Sequence, residues 1–173
     1  MKKVFLTLSL ALAIAPAFGQ STTVVRWQKI VGVVTAPGID NPVAVTTDAN
    51  GSTTNSIHSG GLPWTTRGGS ARVDLSTGEG SFDVEGLVLV GGNATGTAGP
   101  VTSVVGTLVC NPGTADQTIL DTGAANLSSA GNAELSFKLN VPPTCNSPLF
   151  LIRAGARWIA TGAMRVTGNA FSY

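Results

Sequence analysis

The stretch Gly69-Ser70-Ala71-Arg72-Val73-Asp74-Leu75-Ser76-Thr77-Gly78-Glu79-Gly80-Ser81-Phe82-Asp83-Val84-Glu85-Gly86-Leu87-Val88-Leu89 decides the fold class. Ala71, Val73 and Leu75 alternate with Arg72 and Asp74, and Phe82 and Val84 alternate with Asp83 and Glu85. Successive side chains of an extended chain point to opposite faces, so each arm reads as a half-buried strand. The Ser-Thr-Gly cluster between the arms supplies turn chemistry. Two registers keep the apolar faces together. One sets Asp74 against Asp83, and like charges directly opposite are unfavourable. The other pairs Val73 with Phe82, Ala71 with Val84 and Arg72 with Asp83, and it is the register expected.

Short β-rich runs of the same kind recur on both sides of this hairpin. Val25, Trp27, Val31 and Val33 share one face of a run from Val24 to Val34, which Pro37-Gly38 ends. Val43-Ala44-Val45-Thr46 is a short run, and residues 48–61 read as a polar loop broken by Asn50-Gly51 and Gly60-Gly61. After a small-residue loop at 91–100 come a strand from Val101 to Cys110 and an edge segment at Thr118-Ile119-Leu120. Leu135, Phe137, Leu139 and Val141 then alternate with polar residues up to Pro142-Pro143, and Leu149–Ile152 and Ala156–Val166 supply the last strands. No convincing 3.6-residue apolar stripe interrupts them. About eight to ten strands at this spacing predict one all-β domain, an antiparallel β-sandwich or jelly roll.

The chain begins Met1-Lys2-Lys3 and continues as an apolar run from Val4 to Ala15. A short basic start before an apolar run of about twelve residues is the pattern of a secretory signal peptide, and the run is too short for a membrane span. Small residues at Ala17 and Gly19 place the cut before Gln20, with a cut after Ala17 as the alternative. Residues 1–19 are therefore the leader and residues 20–173 the domain. Removing the leader from 173 residues leaves 154, and 8 of the 10 basic residues then face 9 acidic ones. The destination is extracellular or periplasmic, and no membrane span is expected in the mature chain. Cys110 and Cys145 read as a disulfide in that oxidising setting.

Charged residues make up only 11% of the chain, against about 25% in a typical soluble domain. That balance excludes a basic nucleic-acid binder, which needs clustered Lys and Arg. One histidine and two cysteines are too few for a Cys/His zinc site. An eight-stranded outer-membrane barrel would fit the length and the terminal Phe171-Ser172-Tyr173. The aromatic girdles and continuous apolar band of such barrels are missing.

His58 is the single imidazole, so any Ser/His/Asp triad must use it. No Gly-x-Ser-x-Gly turn lies near it, and it reads as a solvated loop histidine. Asp74, Glu79, Asp83 and Glu85 cluster on one hairpin, as paired glycosidase carboxylates do. Their alternation with core residues makes them its wet face, with Arg72 and Lys138 to offset them. Asp48-Ala49-Asn50-Gly51-Ser52 is similar to a fragment of a calcium loop, but one carboxylate is short of the oxygen set that ion needs, and an Asn-Gly turn is the reading. No metal or cofactor is expected. Trp27 and Trp158 fall on apolar strand faces and belong to the core. Trp64, after Gly60-Gly61-Leu62-Pro63, is the one tryptophan placed either to lid an open end or to contact a ligand.

The Ser59–Trp64 run, the Gly69–Leu89 hairpin, and Cys110 and Cys145 ahead of Trp158-Ile159-Ala160 resemble uncharacterised exported bacterial proteins. That resemblance implies an address and a fold but no chemistry. The hairpin also resembles a chordin-type secreted β-module, without the His-x-His pattern such modules often carry. The expectation is an exported structural or interaction domain without catalysis, with a protein or glycan partner at the cell surface. Its Ser21–Val34 run has the alternation of a strand donated between subunits. The alternatives are a carbohydrate- or small-ligand-binding module using Trp64 and a glycosidase using Asp74 or Glu85.

Overall fold

The computed structural model describes residues 24–167, so the leader, its cleavage point and the terminal Phe171-Ser172-Tyr173 lie outside the described residues. In chain order the strands are β1 (Val24–Gly32), β2 (Val43–Thr47), β3 (Thr53–Ile57), β4 (Trp64–Thr65), β5 (Gly68–Asp74) and β6 (Glu79–Glu85). They continue as β7 (Val88–Leu89), β8 (Ser103–Cys110), β9 (Thr118–Asn126), β10 (Ala133–Lys138), β11 (Leu149–Ala154) and β12 (Arg157–Thr167). Among the described residues there is no helix.

Eight strands form one sheet in the order β10-β6-β5-β1-β12-β11-β8-β9, antiparallel at every step. The sheet curls until its end strands β9 and β10 come into contact, close to a barrel. The expected antiparallel all-β domain is present, and the opposing walls of one curled sheet supply its layers. The ribbon β2–β3 and the short pair β4–β7 lie outside that sheet.

Aromatic rings fill the interior. Trp27 of β1, Phe82 of β6 and Phe137 of β10 all approach Phe150 of β11, with centroids 5.4, 6.0 and 6.1 Å from it. Val25, Val73, Val84, Val104, Leu108 and Leu151 are buried around them. Gly106 of β8 makes room, since a Cβ there would come within 2.7 Å of the Phe150 ring. The outer faces of the same strands carry Gln28, Ser70, Arg72, Ser81 and Asp83. A barrel whose oily residues point inward and whose charges point outward has the reverse polarity of a lipid-facing barrel.

Several expectations need correction. The β5–β6 register pairs Ala71 with Phe82, Arg72 with Ser81 and Ser70 with Asp83, two residues from the one expected. The turn decides it. Gly78 adopts φ +74° and donates its amide to the Asp74 carbonyl at 2.8 Å, while Asp74 Oδ1 accepts from the amide and hydroxyl of Ser76. Asp83 then takes a hydrogen bond from Ser70 Oγ at 2.6 Å instead of facing Arg72.

In β1 the register against β12 shifts between Gln28 and Val31, with Lys29 at φ +53°. The extra residue flips the alternation, so Ile30 enters the core and Val31 faces outward at 55% exposure. The same strand is hydrogen-bonded on both sides, between β5 and β12, so from Val24 onward it serves its own sheet and is not free to be donated. Finally, the expected polar loop contains β3, and β9 runs six residues past Leu120.

Candidate functional site

A connected group of polar side chains lies where the β2–β3 ribbon meets β12. After β1, Gly38 at φ +81° lets Pro37-Gly38 reverse the chain, with the Ile39 amide bonded to the Ala36 carbonyl at 2.9 Å. That turn delivers Asp40. At the end of β3, Ile57 is buried at 5% exposure, so Ser56 and His58, on either side of it, share the outer face. His58 Nδ1 meets Asp40 Oδ2, and His58 Nε2 lies 3.0 Å from Ser56 Oγ.

Asp40 holds further partners. Its Oδ1 accepts from the Ser59 amide at 3.3 Å and lies 3.8 Å from Arg157 Nη1. The hydrogen bond from His58 lowers the Asp40 carboxyl below its ordinary value of 3.8, helped by the charges of His58 and Arg157 and opposed by desolvation. Around this pair the ribbon is strapped to β12. Trp158 Nε1 donates to the Asn41 carbonyl at 2.8 Å, the Trp158 amide to the His58 carbonyl at 2.9 Å, and Arg157 Nη1 to the Ser59 carbonyl at 3.2 Å.

The order Asp40–His58–Ser56 is the connectivity of a nucleophilic triad: a carboxylate orients an imidazole whose second nitrogen meets a hydroxyl. Its surroundings differ from those of such enzymes. The side chains of His58 and Asp40 are 48% and 45% exposed, so water screens every charge in the group. An open groove of about 550 Å³ runs beside it, lined by Pro42, Val45, Thr53, Thr54 and Asn55 as well as Ser56 and His58. Reasoning from sequence found His58 and missed its partners. The Ser56-x-His58 spacing on a strand was the available signal for Ser56. Asp40 is brought in by a loop and had none.

The hairpin carboxylates separate. Asp74 and Glu79 border one open groove, whereas Asp83 and Glu85 border another at the β9–β10 seam with Arg67 and Glu134. Asp74 and Glu85, the two named for a glycosidase, therefore do not share a cleft. Glu79 pairs with Lys138 at 3.7 Å. The Ser76 hydroxyl, then its amide, hold the Asp74 carboxyl below the ordinary value of 3.8. Asp48 Oδ1 accepts from the amides of Asn50 and Ser52 at 2.9 Å, so this carboxylate shapes its own turn. Among the described residues no three His, Cys, Asp or Glu side chains are grouped to hold a metal ion.

Trp64 is buried at 6% exposure, its amide bonded to the Val33 carbonyl, and it presents no open ring face. Trp27 and Trp158 are in the core at 0% and 7%. Cys110 and Cys145 form the disulfide. Beside it a groove of about 520 Å³ lies between the loops, where Asn111 Nδ2 donates to the Asp116 and Thr144 carbonyls.

No protein-family model, curated protein or solved structure matches the chain.

Proposed function

We propose that this chain is an exported, non-catalytic domain that acts as a structural or interaction module through its outer surface. One observation carries the reading: the inside of the curled sheet is filled by Trp27, Phe82, Phe137 and Phe150, and the grooves lie outside, lined by exposed side chains. Catalysis draws its largest gains from charges fixed in a water-excluded site. A surface of scattered, solvated ionisable groups suits recognition instead. The disulfide, the leader pattern and the sparsely charged, Ser/Thr/Asn-rich exterior fit an address outside the cytoplasm. The test is turnover across a panel of ester, peptide and glycoside substrates by the purified mature chain. No turnover is expected. Turnover lost in His58→Ala or in Glu85→Gln overturns the reading.

A second reading, a surface hydrolase with Ser56 as nucleophile, is favoured by the Asp40–His58–Ser56 order alone. A fluorophosphonate probe decides it by mass spectrometry. Labelling of Ser56 that disappears in His58→Ala supports the hydrolase, and an unlabelled Ser56 removes it.

A further inference from the structure

We infer that the seam between β9 and β10 is a docking groove for an extended basic peptide, held there as an added strand. This rests on the reading of the chain as an interaction module and names its partner.

Every other strand of the large sheet is hydrogen-bonded on both sides, whereas β9 pairs only with β8 and β10 only with β6. The two end strands come into contact across the seam, but no ladder joins them. Each therefore turns alternate amides and carbonyls toward the seam without a strand to receive them. Sheet edges are commonly guarded by lysine or proline, and β9 carries neither. Past the irregularity opposite Gly106 it runs on as Ala124-Ala125-Asn126, with Ala125 buried and its neighbours exposed. A Cβ added at Gly123 would meet nothing within 4 Å, so no neighbouring side chain covers the strand at that point. Open edge groups recur about every 6.7 Å, a spacing that an extended polypeptide matches group for group.

The groove along this seam, about 740 Å³, has Ala124 and Asn126 on one wall and Glu134 on the other. Asp83 stands directly opposite Glu134 in the β6–β10 register, and Glu85 lies two residues along the same face. Like charges set directly opposite destabilise a sheet, so folding alone disfavours this pair. Among the described residues none of Asp83, Glu85 and Glu134 has an ion pair, whereas Asp40, Glu79 and Asp121 each have a cation within 4 Å. Arg67 also borders the groove, but its side chain lies against Gly86 and forms no ion pair with the three. That wall is short of cations. An added strand with Lys or Arg at alternate positions supplies them, while its intervening apolar side chains meet half-buried Leu135.

Other occupants fit less well. A two-fold contact with a second copy sets the same acidic wall against itself. Nucleic acid and anionic membrane surfaces bring more negative charge to it.

The experiment titrates the isotopically labelled mature chain with a blocked octapeptide of alternating valine and lysine, at low and physiological salt. Amide shifts and slowed hydrogen exchange confined to β9 and β10, with weaker binding at the higher salt, are expected. Two control peptides separate charge from backbone pairing: one has glutamate in place of lysine, and one is N-methylated throughout. Neither should bind. The double variant Asp83→Asn, Glu134→Gln should bind the lysine peptide about tenfold more weakly, while Asp116→Asn binds it as the parent does. Circular dichroism and thermal melting establish that each variant is folded. No binding at low salt, equal binding of either control peptide, or binding untouched by the double substitution overturns the inference and leaves the module reading standing. Slowed exchange in β9 and β10 that rises with protein concentration alone also overturns it and assigns the seam to a second copy. Binding accompanied by cleavage of the peptide supports the groove and overturns the non-catalytic reading.

Discussion

Phe137 and Phe150 stack with their planes 14° apart and their centroids 6.1 Å apart, although they belong to β10 and β11, which sit far apart in the strand order of the sheet. Only curling of the sheet brings such strands face to face. The contact therefore reports closure of the fold, and Phe150, which also meets Trp27 and Phe82, sits at its centre.

Truncating that centre should be costly. Phe150→Ala leaves a cavity lined by three aromatic rings and is expected to destabilise the domain by about 3–5 kcal/mol. Gly106→Ala, whose Cβ would crowd the same ring, should cost about 1–3 kcal/mol by overpacking. Urea unfolding followed by tryptophan fluorescence measures both. A Phe150→Ala loss under 1 kcal/mol would contradict the closed core.

The β5–β6 turn makes a separate prediction. Gly78 needs φ +74°, and a Cβ there would lie 1.9 Å from the Leu139 carbonyl oxygen. Gly78→Ala should cost more than 1 kcal/mol, because the strained φ and the clash add. Gly123 has nothing within 4 Å of an added Cβ, and Gly123→Ala should be close to neutral. Equal melting temperatures for the two variants would refute this account of the turn.

The Cys110–Cys145 bond closes a separation of 35 residues. On the loop-entropy argument, replacing both cysteines by serine should remove roughly 3.8 kcal/mol, seen as a lower melting temperature. The variant should keep its far-ultraviolet spectrum, since the aromatic core is not touched. An unchanged melting temperature would argue that the unfolded chain is constrained in some other way.

Acid should loosen the β2–β3 ribbon. The folded Asp40 carboxyl lies below its ordinary value of 3.8, mainly through His58. A carboxyl lowered in the folded state adds stability above its unfolded value, and that stability is lost as pH falls through the lower folded one. Hydrogen exchange at Thr53–Ile57 should therefore accelerate as pH drops below 3.8, beyond the intrinsic pH dependence of exchange. In Asp40→Asn the ribbon should already exchange faster at neutral pH and show no such step. A step of equal size in both proteins would rule out Asp40 as its source.

The legible parts of this molecule were local. Period-two alternation identified β1, β5, β6, β8 and β10, β-rich runs marked β11 and β12, and turn residues separated them. Export pattern and cysteine count were enough to pair Cys110 with Cys145. Trp27 and Trp158 were readable as core because they fell on apolar faces. The β3 strand escaped notice because Thr53-Thr54-Asn55-Ser56 carries no apolar alternation, and its extended form comes from pairing with β2. Val31 was misplaced because a bulge cannot be read from residues that all favour strands.

Composition and alternation could establish an all-β chain with an oily side and a polar side, since each strand declares its own two faces. Register, curvature and neighbours were settled elsewhere. Gly78 and Asp74 shifted the hairpin by two residues, and that shift moved Arg72 from Asp83 to Ser81. Sheet order then brought Arg72 beside Arg26, and a loop carried Asp40 to His58. These are relations between residues distant in the chain, created when the sheet curls to bury its aromatic rings, and no single strand contains them.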